Sequence, residues 1–315
     1  MLSFVSIAVG HFAAALLIAL LQLDPLALFL LPPAVAVYWA EEKPRHSVAL
    51  VALAAAAALV ATASLAAAGI YAAFASLGIL LGWTFTRRWP YGRCVAAVTA
   101  AGFTLYAALL LARWDVMRQV GRAWMSAQLR EVERFANGEN ATAEAMTQAL
   151  QWFSEHWDHL ALGMLFGMVL LGMGFVVSGA AAWLRRRGED RVPAGGFREL
   201  RPPEHLVWAV ILVGALWFVD QRWTHDLLRA FTWNSAVGLT FIYWLNGFSA
   251  LVFAMTVFKV HPFVFYSVVV AVLMLRVHSI RATCGRFDTW WDFRRKCAKV
   301  MEGRRLRESH DDREL

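Results

Sequence analysis

Apolar residues run along this chain in long blocks separated by short polar stretches. Nine blocks stand out: Ser3–Gln22, Pro25–Ala40, Ser47–Ala67, Ile70–Thr86, Cys94–Ala112, Leu160–Leu184, Leu206–Val219, Ser235–Phe258 and Pro262–Ile280. A helix rises 1.5 Å per residue, so about 20 residues cover the roughly 30 Å hydrocarbon core of a bilayer. The pattern predicts an all-α, polytopic transmembrane helix bundle with eight or nine membrane segments. Pro25–Ala40 is short and carries Pro32-Pro33, which predicts a kinked or partial span. Between the fifth and sixth blocks, Arg113–His159 is mixed in charge. There Trp114, Met117, Val120 and Trp124 form a partial apolar stripe, and Leu129, Val132 and Phe135 continue it on a shifted face. This predicts one amphipathic helical insertion lying on the membrane or docked on the bundle.

The boundaries follow from these runs. Membrane segments fill 1–112, the amphipathic insertion 113–159, a central transmembrane helix 160–187, a Gly- and Pro-containing linker 188–203, C-terminal membrane segments 204–281 and a basic tail 282–315.

Composition strengthens the membrane reading. Hydrophobic residues make up 59% and charged residues 17% of the chain, and the mean hydropathy is +0.51, outside the balance of a soluble domain. The net charge of +7 does not point to nucleic acid, because the arginines cluster in short loops beside spans, as the positive-inside rule expects. The loops 41–46, 87–93 and 185–203 therefore read as cytoplasmic. The acid-rich insertion reads as extracytoplasmic. If all three later blocks cross, the arginine-rich tail ends outside, against that rule; a cytoplasmic tail is preferred, with Leu206–Val219 then not crossing fully. Three cysteines with no CxxC spacing indicate neither a disulfide framework nor a thiolate metal site. The N-terminal block lacks a positive leader and a small-residue cleavage site, so it is expected to stay as a span.

Small residues mark helix contacts, since lipid supplies no hydrophobic drive for helix association and close backbone approach must supply packing instead. Gly78 and Gly82 form a GxxxG. Gly163, Gly167 and Gly174 share a face of the sixth block, and Gly247 leaves room on the eighth. Embedded polar groups cost free energy unless paired, which singles out His11, Asp220, Asn234, Asn246, Arg276 and His278. Tyr243 and Asn246, three apart and mid-segment, are the first choice for a ligand-binding face, with an interhelical hydrogen bond as the plainer alternative. Asp220 and Arg276 sit near segment ends, where an interfacial position is the plainer reading and ligand binding the alternative. His156 and His159 have a metal-compatible spacing but no third ligand, so no metal and no cofactor is expected. HExxH, GxSxG, P-loop and GxGxxG motifs are absent at usable positions, and enzyme activity is not expected.

The second half of the chain resembles the YybS-like family of bacterial multi-pass membrane proteins. The residues that carry the likeness are Phe197-Arg198-Glu199-Leu200-Arg201-Pro202 before a span, Asn234 ahead of Leu239–Gly247, and the ending Asp288, Trp291, Asp292, Arg294 and Arg295. The arrangement is distantly similar to substrate-binding subunits of energy-coupling-factor transporters. The resemblance implies a small-solute binding or transport subunit of the bacterial cytoplasmic membrane that works with a separate ATPase partner. The alternative is a membrane scaffold or regulator of envelope processes acting through the amphipathic insertion and the basic tail.

Overall fold

The computed structural model describes residues 4–135, 141–223 and 225–258. In order they form α1 (Phe4–Leu20), α2 (Asp24–Leu30), α3 (Pro32–Ala40), α4 (Pro44–Thr62), α5 (Leu65–Thr86), α6 (Tyr91–Ala112), α7 (Trp114–Phe135) and α8 (Ala141–Arg186). A 3-10 turn at Phe197–Glu199, α9 (Leu206–Arg222) and α10 (Asp226–Val257) follow. Among the described residues the regular structure is helical, apart from an isolated bridge between Pro90 and Ala194.

Five helices are long and apolar enough to cross a membrane: α4, α5, α6, the Thr147–Arg186 part of α8, and α10. The blocks expected at the N-terminus appear as two shorter apolar stretches, α1 and Pro25–Ala40. Five long spans, rather than eight or nine, thus meet the length criterion among the described residues. The ninth block, Pro262–Ile280, with Arg276, and the tail with Asp288, Trp291, Asp292, Arg294 and Arg295 lie outside them.

Proline sets the helix starts. Pro25, Pro32 and Pro44 each sit in a first turn, where the missing N–H costs nothing. Pro32 and Pro33 divide the second block at Leu31 into α2 and α3. The short α3 is enclosed rather than peripheral: Ala34, Val35, Ala36, Val37 and Tyr38 are all buried. It packs on α5 where Gly78 and Gly82 leave no room for a side chain. A Cβ on Gly78 would overlap the Pro32 carbonyl and lie 2.6 Å from Val35 Cβ, and one on Gly82 would lie 2.6 Å from Trp39 Cβ.

The chain forms two compact units. Unit 1 comprises 1–102, 170–206 and 240–315, and unit 2 comprises 103–169 and 207–239. In unit 1 the linker 188–203 is held rather than loose. Tyr91 N–H donates to the Ala194 carbonyl at 3.0 Å and Ala194 N–H to the Trp89 carbonyl at 3.2 Å. Ser249 Oγ of α10 donates to the Phe197 carbonyl at 2.6 Å, and Tyr91 O–H reaches the Gly174 carbonyl at 2.9 Å.

At the ends of α3 and α8, the Arg187 guanidinium pairs with the Glu41 carboxylate, which also takes Lys43 at 2.8 Å. The Arg187 guanidinium carbon lies 5.3 Å from the Tyr38 ring centroid and 5.4 Å from that of Trp183. Burial alone would push the Glu41 carboxyl up. The hydrogen bonds and charges of Lys43 and Arg187 outweigh it and hold the group below the usual carboxylate range.

The boundary expected at 159/160 falls inside one continuous helix. At 46 residues, α8 is roughly 69 Å long, about twice the hydrocarbon core. The apolar stripe of α7 is also divided. Gly121 faces Trp157, whose Nε1 would lie 2.7 Å from an added Cβ, and Met125 is buried, whereas Val120 and Trp124 are exposed.

Candidate functional site

The polar and aromatic groups of unit 2 converge on three helices. Trp152 and His156 stand one turn apart on α8, Trp217 is on α9 and Trp233 on α10. Their rings form one column: Trp217 to Trp233 at 5.4 Å and 14°, Trp233 to Trp152 at 5.2 Å and 21°, and Trp233 to His156 at 5.0 Å and 7°. Offset stacking of this kind contributes about 0.5–1.5 kcal/mol per pair beyond area burial. Trp233 is held by rings of both neighbouring helices.

One turn beyond Trp217 on α9 lies Asp220, only 8% exposed. Its Oδ2 is 3.4 Å from Arg229 Nε of α10, a long contact. Asp220 Oδ1 and the buried Thr232 Oγ1 have no hydrogen-bond partner. The sequence singled out Asp220, and the helical hairpin brings Arg229 to it.

Below the column, Asn234 bridges α10 and α8. Its Oδ1 accepts from Gly163 N–H at 2.6 Å, and its Nδ2 donates to the Ala230 carbonyl at 2.7 Å. A Cβ on Gly163 would come within 2.6 Å of the Asn234 carbonyl oxygen, so a glycine is what lets the backbones meet. Replacing Asn234 with leucine should cost about 1 kcal/mol, the net worth of a buried hydrogen bond, read as a lower unfolding midpoint in detergent. An unchanged midpoint would mean that the bridge carries no weight.

The other sequence-derived candidates are dispersed. Tyr243 and Asn246 belong to unit 1, at 2% and 1% exposure, and Gly247 and Gly167 are buried. At Gly174 no described atom lies within 4 Å of an added Cβ. Its structural part is instead to offer its carbonyl to Tyr91. His156 is engaged in the ring column, with Nδ1 2.7 Å from the Trp152 carbonyl. Among the described residues no group of three or more His, Cys, Asp or Glu could hold a metal.

Sequence reasoning passed over Trp152, Trp217, Trp233 and Arg229. The available signal was tryptophan at or near the ends of apolar blocks, where indoles favour the membrane interface. The set holds one carboxylate, one guanidinium and an imidazole committed to stacking. It can retain a hydrogen-bond donor or a cation. Beside it, Phe218, Val219, Arg222 and Trp223 line an open groove of about 470 Å³.

Compared with known proteins, the chain matches the family model described as predicted membrane protein (DUF2232) over residues 7–289. No curated protein and no solved structure matches it.

Proposed function

Because the chain belongs to the DUF2232 family of predicted membrane proteins, we propose that it is a scaffold or regulator of the bacterial cytoplasmic membrane. In this reading it catalyses no reaction and presents the helices of unit 2, including the amphipathic insertion, to a protein partner on the extracytoplasmic side. The observation that carries the reading is the ring column. Three indoles and an imidazole pack α8, α9 and α10 against one another near the end of the apolar stretch. Next to it, Phe218 and Trp223, both 73% exposed, line an open groove with Val219 and Arg222, and Leu227 at the start of α10 is 78% exposed. The near-complete burial of Tyr243 and Asn246 favours packing over ligand contact at the mid-membrane face.

The test is complementation of a strain lacking the gene. Trp223→Glu with Leu227→Glu should abolish complementation at normal membrane levels of the protein, while Asn246→Leu should retain it. The reverse pattern would sink this reading.

A second reading is a solute-binding subunit that depends on a separate ATPase partner, as the likeness to the YybS-like family and, more distantly, to energy-coupling-factor subunits implies. The open Oδ1 of Asp220 is the observation in its favour. It predicts a thermal shift with some member of a vitamin and metabolite panel that Asp220→Asn removes. A panel without any shift would end it.

A further inference from the structure

At 100° per residue, the described side chains of α7 fall into three sectors. The first is docked in unit 2: Gly121 meets Trp157, Met125 is 2% exposed, and Arg118 and Arg122 reach Asp158 at 3.2 and 3.6 Å. The second is polar and exposed, with Asp115, Gln119 and Ser126. The third is exposed and apolar over most of its length: Val116, Val120 and Trp124, four apart, at 50%, 57% and 56%, with Ala123 and Ala127 beside them, and the exposed Glu131 closing it at the C-terminal end. A helix covered only by protein and water has no use for this third sector.

The path of α7 says what covers it. The segment entering α7 touches α8 at Phe103 and Phe166, with ring centroids 5.5 Å apart. From there to the Gly121–Trp157 contact, the chain of α6 and α7 covers roughly 27 Å of helix, while α8 advances only roughly 13 Å. The path through α6 and α7 is thus about twice as long as the stretch of α8 between the two contacts. The second contact lies at Trp157, less than one turn from Leu160, where the apolar stretch of α8 begins. The middle of α7 is therefore level with the edge of the hydrocarbon. Only Arg113 separates α7 from the membrane-length α6. The exposed Arg113 borders the apolar sector at its N-terminal end, and Arg130 and Glu131 border it at the other, a charged rim of the kind a headgroup layer solvates.

We propose that α7 is an interfacial helix whose Val116–Val120–Trp124 stripe is seated in the headgroup and acyl boundary of the leaflet at which α6 ends. The occupant of the stripe is the bilayer itself, continuous with the surface around α6. Tryptophan is the residue favoured at that depth. The proposal does not depend on a protein partner, and it leaves the polar sector and the α9–α10 turn free to meet one.

The test uses the full chain in phosphatidylethanolamine and phosphatidylglycerol vesicles, with Cys94, Cys284 and Cys297 replaced by alanine. Spin labels are placed at Val120→Cys, Trp124→Cys, Gln119→Cys and Ser126→Cys. Collisions with oxygen should exceed those with a water-soluble nickel chelate at 120 and 124, and the ratio should invert at 119 and 126. Nickel excess at all four positions would overturn the proposal, as would labels at 120 and 124 shielded from both reagents, which would mean that a second copy or another protein covers the stripe. If Trp124→Cys fails to insert, Val116→Cys reads the same sector.

Discussion

Replacing Arg187 with methionine should lower the stability of the protein in detergent by about 3 kcal/mol. The partner left behind, Glu41, has a side chain only 4% exposed, and Arg187 itself is 11% exposed. Removing one member of a buried pair leaves an uncompensated charge, which costs about 3–5 kcal/mol. Lys43 remains on Glu41 at 2.8 Å, and this places the expected loss at the low end. The guanidinium also lies over Tyr38 and Trp183, contacts that the thioether of methionine replaces only in part.

The double variant Glu41→Leu with Arg187→Met should recover most of the loss, because neither charge is then stranded. Lack of recovery would show that packing, not charge pairing, was at stake. The same pair sets an acid limit. Glu41 is held below its ordinary value, so its contribution is complete above the unfolded glutamate value of about 4.3 and is lost as the pH falls through the lower folded one. Arg187 is shifted upward, and its contribution persists throughout the working pH range. Glu41→Gln should therefore flatten the acid limb of the stability curve and leave its neutral part lower but level. An unchanged acid limb would assign the acid sensitivity to other carboxylates.

The long apolar blocks, the break at Pro32-Pro33 and the close approach at Gly78 and Gly82 could all be read along the chain, because each depends on local composition or on a spacing within one helix. Other features could not. α3 is only nine residues long, and nothing local says that neighbours will enclose it on all sides. The polar stretch before Leu160 looked like a separate insertion, yet α8 includes it and continues without a break from Ala141 to Arg186. On α7 the docked contacts fall at Gly121 and Met125, outside the stripe of Trp114, Met117, Val120 and Trp124 that the spacing picks out. The ring column joins three helices whose tryptophans are far apart in sequence, so only their meeting in space reveals it. Asp220 stood out as a costly charge, but its partner was set by how α9 turns into α10.

The second large effect is expected where α3 meets α5. Gly78→Ala should destabilise the protein by about 1–3 kcal/mol, the usual range for an overpacked site. The added Cβ would meet the Pro32 carbonyl oxygen, Val35 Cβ at 2.6 Å and Ala36 N at 3.1 Å. Two of these are backbone atoms, and the third is fixed at the base of a buried side chain, so a rotamer change cannot relieve the clash. The helices must separate, and α3, enclosed on every side, has no free direction to yield. Gly69, earlier in the same helix, supplies the control, since no atom lies within 4 Å of its added Cβ. There the intrinsic preference for alanine acts alone and should stabilise by up to about 1 kcal/mol. Opposite signs for one substitution type in one helix, read as unfolding midpoints in the same detergent, would separate backbone approach from helix propensity. Equal tolerance at 69 and 78 would mean that the contact between α3 and α5 is looser than these distances require.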